Sequence, residues 1–313
     1  MMIATVTKWP GRVMALLLGV VLSVVAQADT RVLETAYGQV KVNGQPKRVV
    51  ALSEGAVDTT VALGVTPVGA LATRGTDGLA RYMEPHAKGV AIVGTSRELN
   101  LEAIVAQRPD LILASPQMTR EQYRLLSSVA PTIVPDTADM KQDNWKVEGR
   151  LYAQALNQTA KMEELIEAVD ARAAQLAETL KARYADEDRT AYVVRWMPQG
   201  PMVMNSQMFA AGLLEAVGLK ASDAGLIKEN RPHSDPLSLE NLGRIDSDWL
   251  FLATLNEEGQ AALEAAKKSS AFARLNVVQR DRVIAVDGQY WSSATGPLAA
   301  QKVLSDIEAA LVP

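Results

Sequence analysis

Apolar and polar positions along this chain alternate between two periods. Short, dense apolar runs at 48–52, 68–71, 91–93, 110–114 and 132–134 predict buried strands. Between them lie stretches with helical spacing, 55–63 and 101–107 among them. Strands alternating with helices predict βαβ units and a mostly parallel sheet. Pro109 and Pro131 stand at helix-to-strand junctions, where a missing backbone donor does least harm. The second half repeats the alternation, with strands expected at 190–196, 249–253 and 283–286. Trp249 sits inside one of these apolar runs and reads as core.

Residues 159–184, between the halves, carry neither Gly nor Pro. There Met162, Leu165, Ile166, Val169, Ala173, Leu176 and Leu180 recur at helical spacing, and the rest are mostly strong helix formers. A helix of that length spans on the order of 40 Å. Its position makes a rigid strut between two lobes the favoured reading, with a surface helix of one lobe as the alternative.

A segment on either side of this helix is nearly duplicated. Leu101-Glu102-Ala103-Ile104 with Asp110-Leu111-Ile112-Leu113 recurs as Leu239-Glu240-Asn241-Leu242 with Asp248-Trp249-Leu250-Phe251, at a constant offset of 138 residues. Each copy predicts a capped start, a short amphipathic helix and a buried strand. Asn100 and Ser238 are the expected N-caps, and each places one Glu in a first helical turn.

The N-terminus follows other rules. Lys8 and Arg12 precede an apolar run at 13–25, and Ala26-Gln27-Ala28 offers small residues for cleavage, the pattern of a secretory signal peptide. The run is shorter than the roughly 20 residues of a spanning helix. Cleavage near Ala28 and export to the periplasm are expected. The absence of cysteine removes disulfides, thiolate metal sites, a Cys nucleophile and a lipid-bearing anchor residue. Loss of Lys8 and Arg12 with the leader moves the formal charge from −4 to −6, which argues against nucleic acid or an anionic membrane as partner.

Four motifs in order carry a resemblance. They are Pro46-Lys47-Arg48-Val49-Val50-Ala51-Leu52, then Leu63-Gly64-Val65-Thr66-Pro67-Val68-Gly69, then Val93-Gly94 leading to Asn100-Leu101-Glu102-Ala103-Ile104, then Arg108-Pro109-Asp110-Leu111-Ile112. The chain thereby resembles the helical-backbone (class III, cluster A) periplasmic substrate-binding proteins of iron-siderophore ABC importers, the ferric dicitrate binders in particular. The resemblance implies an α/β fold of two Rossmann-like lobes with mostly parallel sheets, joined by one long rigid helix. It divides the chain into a signal peptide (1–28), an N-terminal lobe (29–157), a backbone helix (158–185) and a C-terminal lobe (186–313). It further implies a monomer that binds a ferric siderophore or ferric citrate-type chelate between the lobes and docks on an inner-membrane ABC permease through Glu102 and Glu240. Considered alone, either Glu serves equally well as a partner of its helix dipole.

In open parallel sheets ligands gather beyond the carboxyl ends of the strands. The loops there supply Arg74, Arg97, Arg195 and Arg231, whose planar guanidinium groups suit the oxygens of an anionic chelate. Trp196, Tyr290 and Trp291 are candidate flat walls, the last two in a Gly- and Ser-rich loop where adjacent aromatics cannot both point inward. Direct metal ligation is not expected. His86 and His233 lie in different lobes without a ligand-spaced partner, so iron is expected inside its chelator and no resident cofactor is implied. Two readings stay open: a haem or cobalamin binder of the same fold, and a periplasmic accessory or signalling protein that binds a chelate without delivering it. An enzyme is not expected. No Gly-x-Ser-x-Gly elbow or phosphate loop occurs, and only a paper triad joins Asp58, Asp110 or Asp235 to His233.

Overall fold

The central predicted strand runs, 49–52, 111–114 and 249–253, are buried because they are covered on both faces, and the structure shows by what. The computed structural model describes residues 1–2, 30–86, 88–137, 139–185, 187–228 and 231–312. The leader with its cleavage site lies outside these residues. The described chain opens with an antiparallel hairpin, β1 (Thr30–Thr35) and β2 (Gly38–Asn43). Neither strand was read from the sequence. Leu33, Val40 and Val42 are its only buried positions, too sparse for a run.

The first sheet contains β3 (Val49–Leu52), β4 (Gly69–Ala72), β5 (Ala91–Thr95), β6 (Leu111–Ala114) and β7 (Thr132–Ile133), all parallel in the order β5-β4-β3-β6-β7. Interleaved are α1 (Glu54–Ala62), α2 (Leu101–Ala106) and α3 (Arg120–Ser127). Helix α4 (Asn144–Ala155) and the 25-residue α5 (Thr159–Arg183) follow. The second sheet has order β10-β8-β11-β12 from β8 (Thr190–Met197), β10 (Lys220–Ala221), β11 (Trp249–Thr254) and β12 (Val283–Asp287), again parallel, with β9 (Gly200–Val203) antiparallel on β8. Around it lie α6 (Phe209–Ala216), a 3-10 helix (Leu239–Ile245), α7 (Glu257–Lys267), α8 (Ser270–Ala273), α9 (Asn276–Gln279), α10 (Gly288–Trp291) and the C-terminal α11 (Pro297–Leu311).

Strand alternation sorts side chains into three apolar clusters. Val50, Leu52, Ile112 and Ala114 face an outer cluster against α2 and α3, and Val194, Trp196, Leu250 and Leu252 face another on the far side of the second sheet. The odd positions share one interior. Val49, Ala51, Leu111 and Leu113 of the first sheet join Ala191, Val193, Phe251 and Ala253 of the second in a single cluster. Met162, Ile166, Val169, Ala173, Leu176 and Leu180 of α5 belong to it, as do Val303, Leu304 and Ile307 of α11. Gly149 lets α4 meet α5, since a Cβ there would lie 2.2 Å from Met162 Cε.

The duplicated segment keeps its role but not its form. Asp110 accepts the backbone N–H groups of Lys47 and Arg48, both at 2.8 Å, and Asp248 accepts that of Thr190 at 3.1 Å. Each Asp thus ties the start of its own strand to the start of the neighbouring one, β3 or β8. The helices differ. Asn100 caps α2 through its side chain, which accepts from Ala103 N at 2.9 Å. The second copy is a 3-10 turn, not the expected amphipathic helix, and Ser238 makes no side-chain cap. Its hydroxyl instead accepts from Asn241 Nδ2 at 3.1 Å, so the short side chain is taken up locally.

Candidate functional site: a cavity between the two sheets

A cavity of about 530 Å³ opens between the sheets, within the range of roughly 300–1,000 Å³ usual for small-molecule sites. Its first side is built as the parallel sheet dictates, from the segments after β3, β4, β5, β6 and β7, including Ser53, Arg74, Arg97 and Gln117. Its second side departs from expectation. The turn after β11 contributes nothing, and the wall comes from Ala191 and Val193 of β8, the segment entering α6, and residues 291–295.

Of the seven ligand candidates, Arg74, Arg97 and Trp291 line the cavity. Arg195 is placed differently. It is only 4% exposed, its Nε has no partner, and it forms no hydrogen bond or ion pair among the described residues. It extends on the same face of β8 as Ala191 and Val193, which line the cavity, but it does not itself line the cavity. Burial lowers its guanidinium to about 10, and the like charge of Arg74 adds to that. A buried cation beside a second cation is unfavourable until an anion arrives.

The other three stand away from the cavity. Trp196 is 2% exposed and packs edge-on against Phe272 at 6.2 Å, because its even register turns it into the outer cluster. Arg231 is exposed and paired with Asp235 at 2.9 Å. Tyr290 donates to Asp306 Oδ2 at 2.9 Å and meets Tyr82 at 5.7 Å. Tyr290 and Trp291 belong to a short helix, α10, rather than a loop. Trp291 stacks on Phe251 at 4.7 Å, and its Nε1 donates to the same Asp306 oxygen at 2.8 Å.

Sequence reasoning missed the contribution of α4. Asn144, Trp145 and Glu148 line the cavity, and Trp145 is set edge-on to Phe209 at 6.1 Å. The pairing of Trp145 with Glu148 three residues later on a Pro-free stretch was the available signal. Burial raises the Glu148 carboxyl to about 7, against a lowering hydrogen bond from Thr137.

Glu102 and Glu240 are exposed and make no ion pair among the described residues. The α2 N-terminus follows β5, so Glu102 stands at the carboxyl edge of its sheet, three residues beyond the cavity-lining Leu99.

The three acids of the paper triad are engaged elsewhere: Asp58 with backbone N–H groups of α11, Asp110 with the start of β3, and Asp235 with Arg231 and Lys228. His233 Nδ1 lies 2.8 Å from the carbonyl oxygen of Ser234. Among the described residues no group of three or more His, Cys, Asp or Glu could hold a metal ion, and no helix is long and apolar enough to cross a membrane.

Similar proteins are known in sequence and in fold. The probable siderophore-binding lipoprotein YfiY of Bacillus subtilis is 30% identical over 296 residues, covering 91% of this chain and 89% of the relative. The Fe(3+) dicitrate-binding periplasmic protein FecB of Escherichia coli is 23% identical over 297 residues, 91% of each. The crystal structure of Staphylococcus aureus SirA complexed with staphyloferrin B superposes with a TM-score of 0.78 at 26% identity, over 90% of this chain and 99% of SirA. A family model described as periplasmic binding protein matches residues 49–290, and the chain belongs to that family of binding proteins.

Proposed function

We propose that this protein captures an anionic ferric chelate, a ferric siderophore or ferric citrate-type complex, in the cavity between its sheets and delivers it to an inner-membrane ABC permease. The observation that carries this reading is Arg195, a buried guanidinium without an acceptor, beside Arg74 on the cavity-facing side of β8. An anionic ligand bonded to the cavity-lining Arg74 offsets the charge of both groups, and charge-assisted bonds from Arg to oxygen are the strong ones. The siderophore and dicitrate names of the relatives support the same class of cargo. The exposed Glu102 and Glu240 are the proposed docking contacts, α5 is the strut between lobes 29–157 and 186–313, and small lobe motion suffices for capture. The leader is cleaved near Ala28, and the mature protein acts as a periplasmic monomer without a resident cofactor.

The test uses the mature protein's own fluorescence, because Trp145 and Trp291 line the cavity. Titration with ferric citrate, ferric hydroxamate, catecholate and mixed-carboxylate siderophores, haem and cobalamin should give saturable quenching with a carboxylate-bearing ferric chelate. A response to haem or cobalamin alone would overturn the proposal. Binding of a ferric chelate by a protein whose deletion leaves uptake intact would favour an accessory or signalling role.

A further inference from the structure

Two carboxyl groups line a cavity otherwise suited to anions, Glu54 and Glu148, and Glu54 already accepts the backbone N–H of Arg74 at 3.2 Å. Glu148 lines it from α4, one turn after Trp145. Its Oε1 accepts a hydrogen bond from Thr137 Oγ1 at 2.7 Å, and no other hydrogen bond or ion pair to its side chain occurs among the described residues. Its Oε2 lies toward the first turn of α1, where a Cβ added to Gly55 would come within 3.7 Å of it. What shifts its carboxyl are burial, upward, and the Thr137 bond, downward, with no cation among the described residues contributing.

Two other acids, the buried Asp58 and the half-buried Asp306, are held differently. Asp58 receives Leu298 N, Ala299 N and Tyr82 OH, at 2.9, 2.8 and 3.0 Å. Asp306 receives Tyr290 OH and Trp291 Nε1. Asp58 thus has three protein donors and Asp306 two, against one for Glu148. A carboxylate offers about four acceptor sites, and Glu148, half-buried in the cavity wall with one protein donor, leaves the rest to whatever fills the cavity. A ligand filling the cavity removes what water remains, so the ligand itself must supply a donor or the complex is weakened.

We infer that Glu148 is a specificity subsite that accepts a hydrogen bond from an N–H or O–H group of the bound chelate. The ligand class is then a polarised one: carboxylate oxygens for the cavity-lining Arg74 and Arg97, and an ammonium or free hydroxyl for Glu148. A chelate that presents only acceptor oxygens is disfavoured. The inference rests on the anionic-chelate reading above and narrows it.

The experiment compares two synthetic iron(III) complexes, a citrate-based chelator carrying a free primary amine and its isostere with methyl in place of the amine, by tryptophan quenching. Wild-type protein should prefer the amine-bearing complex on the order of 10- to 100-fold. Glu148→Leu should abolish that preference while retaining binding of the methyl isostere. Glu148→Gln preserves volume and one acceptor, guards against a fold defect in the Leu variant, and should fall between. Equal binding of both complexes by wild type, or an undiminished preference in both variants, would overturn the subsite while leaving the anionic-chelate reading intact. Failure of wild type to bind any ferric chelate, including ferric citrate, would remove that reading and the subsite with it.

Discussion

Gly296 owes its identity to Asp58. A Cβ at position 296 would lie 2.5 Å from Asp58 Oδ1, and the backbone there has φ 119°, a region L side chains rarely adopt. The closeness has a purpose. Gly296 is the N-cap of α11 but has no side chain to cap with, so Asp58, more than 200 residues earlier on α1, accepts the Leu298 and Ala299 N–H groups instead. A helix of the second half is thus capped by the first.

Asp58→Ala should lower stability by about 1.5–3 kcal/mol, since it leaves two backbone donors and the Tyr82 hydroxyl without their acceptor. Urea unfolding measures it. An unchanged midpoint would show that water replaces the carboxylate.

The same group gives stability a pH dependence of definite sign. Burial raises Asp58 from 3.8 to about 7. The folded state therefore holds its proton more tightly than the unfolded chain. Its contribution is full below about pH 4, declines as pH rises toward 7, and is level above that. Unfolding free energies of wild type and Asp58→Asn, measured from pH 4 to 8, should diverge across that window. Parallel curves would contradict the shift. Glu148 acts in the same direction, so the difference between the two proteins, and not the wild-type slope alone, is diagnostic.

Gly296→Ala should cost about 2–3 kcal/mol through backbone strain and the contact with Asp58. Thermal melts should show the loss, and adding Asp58→Ala to it should cost less than the sum of the two single changes, because the pair is in contact.

Arg195→Met separates binding from folding. Affinity for an anionic ferric chelate should fall about 10- to 100-fold, while stability stays level or rises by about 1 kcal/mol as an unpaired buried cation is removed. Arg231→Ala is the control. Its guanidinium is exposed and already paired with Asp235, so affinity should hold. A stability loss in Arg195→Met with unchanged affinity would assign Arg195 a structural role.

Glu102→Ala combined with Glu240→Ala should leave chelate affinity unchanged and abolish uptake of the labelled chelate in cells carrying the permease. Both side chains are exposed and unpaired among the described residues, so folding should be unaffected. Normal uptake would rule out docking through this pair.

What was readable beforehand was whatever depends on local apolar density. Val49–Leu52, Leu111–Ala114 and Trp249–Thr254 announce themselves because both faces are covered. Helix α5 does so through an unbroken period. The site was read less well, for reasons visible in single residues. Arg195 and Trp196 are neighbours with equally plausible chemistry, and only the register of β8 sends one toward the cavity side and the other into the outer cluster. Trp145 and Glu148 sit on a helix with a mixed inner face of Trp145, Gly149, Tyr152 and Ala153, so its orientation emerges only after it packs on α5. The capping of α11 by Asp58 joins positions 240 residues apart, beyond any spacing rule.

The single apolar interior shared by both sheets, α5 and α11 also bears on how this molecule comes apart. Most two-lobed chains can lose one lobe and keep the other, because each closes its own core. Here a protease that cut between α5 and β8 would strip the first sheet of one wall and leave α11 without its cap. Neither fragment keeps that shared interior complete, so neither is a smaller version of the whole.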